Sequence, residues 1–405
     1  MEMPSINFEK AAEDNVNNLD LSNLVKRIRM VDCEPWIREH LVKFVQFVSN
    51  LSDDDGEMEI PPYDRELLKL LKSAGWDPNN KNTGGIVLIR NAIRNDDVYH
   101  FNMLLEYGFN HKTPGLLQWT CESQSVIIFN RLMKFKNAID KNENGCKPLY
   151  SACLVGNYYM AETFLNRAVA VNGWQDTGTA LHAACFSGNV YLVGLLIKRG
   201  ILVDLRNIFG ETAMHLACKL GKIDIVRLLI RCEANINITN IASHTPLHLA
   251  VYNDEIETAE LLIGKGAAVN SNVMSPSPLF ISCLQKHPIR LLVKMIAAGA
   301  DVNSKNIKNM TPLHAAVYKN YSQAVDLLLA NGADINAKDA VCRTPMKYAV
   351  KFGFIEIIKI LLTANKSVVF DDLWSNSSRS DSIEYDENEE ERQNIDIIKY
   401  HMQFI

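Results

Sequence analysis

Long apolar runs are missing from this chain of 405 residues. No stretch approaches the roughly 18 consecutive apolar residues that a membrane-crossing helix needs, so no membrane span is expected. A charge excess of one sign is missing too. The formal net charge of −5 gives no support for nucleic-acid binding, which needs a basic face to neutralise phosphates. The opening MEMPSINFEKAAEDN is polar and acidic and lacks the apolar segment of a secretory signal. A cytoplasmic setting, with access to the nucleus, is therefore expected, and with it reduced thiols. Catalytic signatures are missing as well. There is no HExxH, no GxSxG, no GxGxxG and no phosphate loop, since Gly221-Lys222 runs into Ile223 rather than serine or threonine. Asp53, Asp54, Asp55 and Gly56 suggest calcium, but Pro61 and Pro62 fall inside the loop and glycine is out of place for an EF-hand, so a plain acidic loop is expected. No enzyme, metal or cofactor is expected.

What is present is periodicity. The stretch 310–336, MTPLHAAVYKNYSQAVDLLLANGADIN, reads as a helix start at Thr311-Pro312, a short apolar helix and a stop at Asn320. A second amphipathic helix follows through Leu329, then a glycine stop at Gly332 and a turn. Such a pair of helices cannot bury its apolar faces alone and needs copies on each side. The copies exist. The leucine or methionine of the TPLH-like box recurs at Leu149, Leu181, Met214, Leu247, Leu279, Leu313 and Met346, at spacings of 32, 33, 33, 32, 34 and 33 residues. A later element reads LLIGKGAAVN, MIAAGADVN and LLLANGADIN, ending at Asn270, Asn303 and Asn336.

This pattern closely resembles the ankyrin repeat, over about residues 144–364 and more weakly toward both ends. The resemblance implies an all-α solenoid of stacked helix–turn–helix units with short β-hairpin-like loops, capped by N-terminal helices. It also implies that His182, His215, His248 and His314, at the second box position, hydrogen-bond the box threonines and nearby backbone. A zinc ladder is excluded by spacing: two nitrogens must reach about 2.0–2.1 Å from one ion, whereas neighbouring helices sit roughly 8–10 Å apart. Finally, Asn237, Asn270, Asn303 and Asn336 resemble the hairpin asparagines that a 2-oxoglutarate-dependent hydroxylase modifies in ankyrin proteins.

With the box leucine as position one, Cys121, Cys153, Cys185, Cys218 and Cys283 all occupy position five, where Val251, Val317 and Val350 also stand. A site that exchanges cysteine for valine is a small buried apolar site, not a ligand or disulfide set. Position eight holds Gly156, Gly188, Gly221, Asp254, Asn320 and Gly353, residues that tolerate left-handed backbone. Lys286 breaks that series, and a local distortion is expected there.

The expected organisation is an N-terminal helical extension over 1–62, degenerate repeats over 63–143, seven regular repeats over 144–365 and an acidic tail over 366–405 with a short apolar end. Function in such a stack lies on the face made by hairpin tips and first helices. Its tips carry Trp174, Ile208, Phe209, Ile241, Met274 and Ile307, and position six of the first helices carries Phe186, Tyr252 and Tyr318. Aromatic anchors within a polar rim are what protein interfaces use. The expected function is a monomeric, non-catalytic adaptor or scaffold in signalling that binds a protein partner. The alternatives are a ubiquitin-ligase substrate receptor, although 366–405 lacks a leucine- and cysteine-rich recruitment box, and a direct inhibitor or regulatory subunit of an enzyme or transcription factor.

Overall fold

The repeated apolar positions must find each other, and they do so by stacking. The computed structural model describes residues 21–50, 63–80, 84–135, 146–167, 169–175, 178–270 and 275–364. Their regular structure is almost entirely helical and falls into two units, one of Met1–Gln175 with Lys198–Gly200, the other of Asp176–Ile197 with Ile201–Ile405.

In the first unit the helices are α1 (Leu21–Ile28), α2 (Pro35–Asn50), α3 (Arg65–Ser73), α4 (Gly85–Arg94), α5 (Val98–Glu106), α6 (Leu116–Glu122), α7 (Val126–Met133), α8 (Cys146–Leu154) and α9 (Tyr158–Leu165), followed by the two-residue strand β1 (Trp174–Gln175). Helices α2, α4, α6 and α8 pack in succession as one layer, while α5 and α7 pack in a second. Asp64, Asp97 and Asn157 cap α3, α5 and α9 by accepting the amides of Leu67, His100 and Met160. Helix α4 starts against the backbone of Pro78 so closely that a Cβ on Gly85 would lie 2.1 Å from the Pro78 carbonyl oxygen. Only glycine fits.

The second unit runs from β2 (Gly178–Thr179) through α10 (Ala180–Ser187), α11 (Val190–Lys198), α12 (Ala213–Lys219), α13 (Ile223–Arg231), α14 (Pro246–Tyr252), α15 (Ile256–Gly264), α16 (Pro278–Gln285), α17 (Ile289–Ala297), α18 (Pro312–Tyr318), α19 (Ser322–Ala330), α20 (Pro345–Lys351) and α21 (Ile355–Ala364). The even-numbered helices form one layer and α13, α15, α17, α19 and α21 a second. Every box leucine or methionine of this unit is buried. Each removes a large side chain from water, worth about 1.5–3 kcal/mol.

The box has a polar reason as well. In four copies threonine caps the helix and histidine at the third helical position answers it. His215 Nδ1 accepts the amide of Thr212 at 3.1 Å and lies 2.9 Å from its hydroxyl. The proton therefore sits on Nε2, which donates to the carbonyl of His244 in the next repeat at 3.1 Å. His182 and His314 repeat this toward the carbonyls of Glu211 and Arg343. The histidines are structural, as the resemblance implied. A second ladder joins the hairpins: Asn270 Oδ1 accepts the amide of Asp301 at 2.8 Å, and Asn303 Oδ1 that of Asp334 at 2.7 Å.

Cys121, Cys153, Cys185, Cys218 and Cys283 are all buried, in keeping with the apolar site that their exchange with valine implies. Burial pushes the thiols of Cys185 and Cys283 up. At Lys286 the expected distortion is absent. Its φ of +57° matches the left-handed values of Asp254 and Asn320, at +62° and +52°. The turn is held by the amide of His287 on the carbonyl of Ser282 at 3.0 Å, so the lysine takes the strained conformation that glycine takes elsewhere. Among the described residues no helix is long and apolar enough to cross a membrane. The acidic loop at 53–56 and the tail over 366–405 lie outside the described residues.

Candidate interaction surface

Four hairpin tips of the second unit are each built around one polar side chain. Asn207 Oδ1 accepts the amides of Phe209 and Glu211, both at 2.9 Å. Asn306 Oδ1 does the same for Lys308 and Met310, both at 2.9 Å. Asp339 Oδ1 takes Val341 at 3.0 Å and Arg343 at 2.7 Å, and Asn240 takes His244 at 2.9 Å. A side-chain oxygen that accepts its own turn's amides fixes the backbone there, and Ile208, Phe209, Ile307 and Val341 within these turns are exposed. These four pins were missed in the sequence reading. The signal was present, because all four stand seven residues before the box leucine or methionine.

Successive tips are joined through backbone. The amide of Ile241 donates to the carbonyl of Phe209 at 3.1 Å, and that of Ala340 to Lys308 at 2.9 Å. The side chains stay outside these bonds. Phe209 is 59% exposed, and Ile241 and Ile307 are each 76% exposed. Ile208 and Val341 are exposed beside them. On the first helices Phe186 and Tyr252, at 59% and 64%, project from α10 and α14. Tyr318 is different. Its ring lies 5.5 Å from Phe352 and 6.2 Å from Tyr348, both edge-on, so it is one wall of an aromatic cluster rather than a lone anchor. Tyr348 is fixed in turn by its hydroxyl on Asp339 Oδ2 at 2.8 Å.

The structure thus places Phe186, Phe209, Ile241, Tyr252, Ile307 and Tyr318 as exposed side chains of the second unit and links Phe209 with Ile241 through their tips. Trp174 lies in β1 of the first unit, and its side chain is outside the described residues. Met274 is outside them too. Phe352, which joins Tyr318, was not anticipated, because it stands one place beyond position six.

The geometry of stacked helix pairs, capped boxes and pinned tips now has a family to be compared with. A family model described as ankyrin repeats (3 copies) matches residues 117–207, 181–273 and 279–372, together more than half of the chain. The chain belongs to the ankyrin repeat proteins. Putative ankyrin repeat protein R96 of Acanthamoeba polyphaga mimivirus is 30% identical over 111 residues, which is 26% of this chain and 11% of that protein. This chain therefore spans only a small part of that relative. The crystal structure of the ankyrin repeat domain of Bcl-3, described as a unique member of the IkappaB protein family, is 26% identical and covers 53% of this chain and 97% of its own, with a TM-score of 0.47. Ankyrin repeats typically serve as non-catalytic modules of protein–protein interaction. Among the described residues of this ankyrin protein, no group of three or more His, Cys, Asp or Glu side chains is placed to hold a metal ion.

Proposed function

We propose that this ankyrin protein is a non-catalytic adaptor that binds a protein partner through the hairpin tips and first helices of its second unit. One observation carries the reading. Phe186, Phe209, Ile241, Tyr252 and Ile307 are large apolar side chains held exposed on capped helices and pinned turns. Rigid elements that present apolar anchors lose little freedom on binding, which is where affinity is usually lost. Exposed apolar residues grouped on one surface mark interaction sites, and aromatic anchors dominate the energy of such interfaces.

The partner is a protein, bound to a single copy of this chain, in the cytoplasm with access to the nucleus. The mechanism needs no chemistry: a fixed surface selects a shape and releases it unchanged.

The double substitution Phe209→Asp with Tyr252→Ala tests this. The full chain and its variant serve as baits, and captured proteins are compared by mass spectrometry. Loss of specific partners with unaltered unfolding temperature is the expected outcome. An unchanged partner set at unchanged stability refutes the surface.

A further inference from the structure

The last two hairpin tips and first helices of the second unit differ from the rest in charge. Lys305, Lys308, Lys319, Lys338, Arg343 and Lys351 are all exposed. None of the six forms an ion pair among the described residues. The acids of the same segment are engaged locally. Asp334 accepts the amide of Asn336 at 2.9 Å, and Asp339 is held by two amides and the Tyr348 hydroxyl. Cations and aromatic rings are interleaved: the Lys319 ammonium lies 5.7 Å from the centre of the Tyr318 ring and the Arg343 guanidinium 6.0 Å from that of Tyr348. Phe352 completes the aromatic floor, and the Ala340–Lys308 backbone bond ties the two tips together. Six exposed cations without acidic partners, around exposed rings, form a surface that lacks an acidic, partly aromatic counterpart.

The chain contains one. Residues 381–391, DSIEYDENEEE, hold seven acids and no base, with Ile383 and Tyr385 as their only large apolar side chains. We propose that this acidic segment docks on the cationic, aromatic end of the second unit of its own chain. Carboxylates meet the lysines and Arg343, and Ile383 and Tyr385 meet Tyr318 and Phe352. The tether is long enough. From the end of α21 at Ala364 to Asp381 there are 17 residues, which can span at most about 60 Å. The two helix layers of one repeat are only about 10 Å apart. In the preceding repeat the chain that leaves α19 goes directly to the tip that holds Ala340 and Val341, so the C-terminal end of α21, which packs on α19, lies on the tip side. Tethering gives the segment an effective concentration on the order of millimolar, so a weak charge-driven contact suffices to keep the surface covered. Because the cations are exposed, the contact is screened by salt.

Docking of the tail goes beyond the adaptor reading and does not depend on it, since no partner takes part. The test uses the full chain and a full-length variant of equal length with Asp381 and Asp386→Asn and Glu384, Glu387, Glu389, Glu390 and Glu391→Gln. The probe is a fluorescent synthetic peptide of residues 379–392, read by anisotropy. The neutralised variant is expected to bind the peptide at least about tenfold more tightly than the natural chain, whose own tail competes at high effective concentration. Adding Lys308→Glu, Lys338→Glu and Lys351→Glu to the neutralised variant is expected to weaken binding about tenfold or more, and raising salt to do the same. These three side chains are exposed, so circular dichroism should show the fold retained. Equal affinity for the natural and neutralised chains overturns the proposal. So does absence of binding to the neutralised chain, or binding that ignores the three charge reversals.

Discussion

His248 offers a way to read the cost of the buried boxes from a titration. It is 1% exposed, and its Nδ1 accepts the amide of Thr245 at 3.2 Å, a bond that requires that nitrogen to be unprotonated. Burial, then the nearby His244 and His215, push its pKa from 6.5 down to about 4. An unfolded chain takes up the proton as the pH falls below 6.5, whereas the folded chain resists until about 4. The stabilisation is therefore complete above 6.5, declines as the medium is acidified and levels off below 4. Linkage over that window gives a loss of about 2 kcal/mol from this one side chain between about pH 7 and about pH 5. Hydrogen exchange of the α14 amides in increasing urea, at both pH values, measures it in the repeat concerned. His248→Gln keeps an oxygen for the Thr245 amide but cannot titrate, so its acid loss should be smaller by about that 2 kcal/mol. If the variant loses as much stability on acidification as the natural chain, the assignment of the acid sensitivity to this imidazole is wrong.

The close approach at Gly85 should separate two kinds of glycine. Gly85→Ala forces a methyl onto the Pro78 backbone and should destabilise the first unit by about 3 kcal/mol or more, whereas Gly332→Ala, with open space and only a φ of +83°, should cost about 1 kcal/mol, both read from urea midpoints. Thiol labelling of the native chain, mapped by mass spectrometry, should mark exposed Cys342 first and half-buried Cys33 and Cys232 more slowly, while Cys121, Cys185, Cys218 and Cys283 stay unlabelled until the chain is unfolded.

The regular part of the fold was readable because one packing solution is written seven times, and comparison of copies separates scaffold from surface. Position five accepts cysteine or valine since only size and burial matter there. The first unit was less readable for the same reason. Gln124 takes left-handed backbone, with φ of +54°, at the place where regular copies use glycine, asparagine or aspartate. Nothing in a glutamine announces that conformation. It is imposed by the turn between two packed helices, and the amide of Ser125 on the carbonyl of Thr120 at 2.9 Å holds it. Lys286 misled in the same way: composition suggested a defect, while the surrounding hydrogen bonds supplied the geometry. At the candidate surface, residue type foretold the apolar tips but not the polar pins beneath them. Asn207, Asn240, Asn306 and Asp339 read as ordinary loop polarity until their shared register is noticed. The joining of Tyr318 to Phe352 depends on adjacent helices, which no single repeat reveals.

The histidine bonds between repeats also bear on how the second unit would respond to being pulled. His182, His215 and His314 each lash one repeat to a carbonyl of the next. His248 Nε2 has no such partner among the described residues, and the following repeat carries Phe280 where histidine would stand. Two adjacent junctions therefore lack the lashing and rely on other bonds: Arg290 and Lys294 on Glu260, at 2.9 and 2.8 Å, at the first, and the Ser277 and Ser304 hydroxyls, 2.8 Å apart, with the Tyr321 hydroxyl on the His287 carbonyl at 2.7 Å, at the second. Under tension applied along the stack, the first of these junctions would hold through partly exposed ion pairs rather than a buried imidazole, so its strength should fall as salt is added. At high salt the unit would then yield in two pieces rather than one, like a spring with a soft coil in its middle.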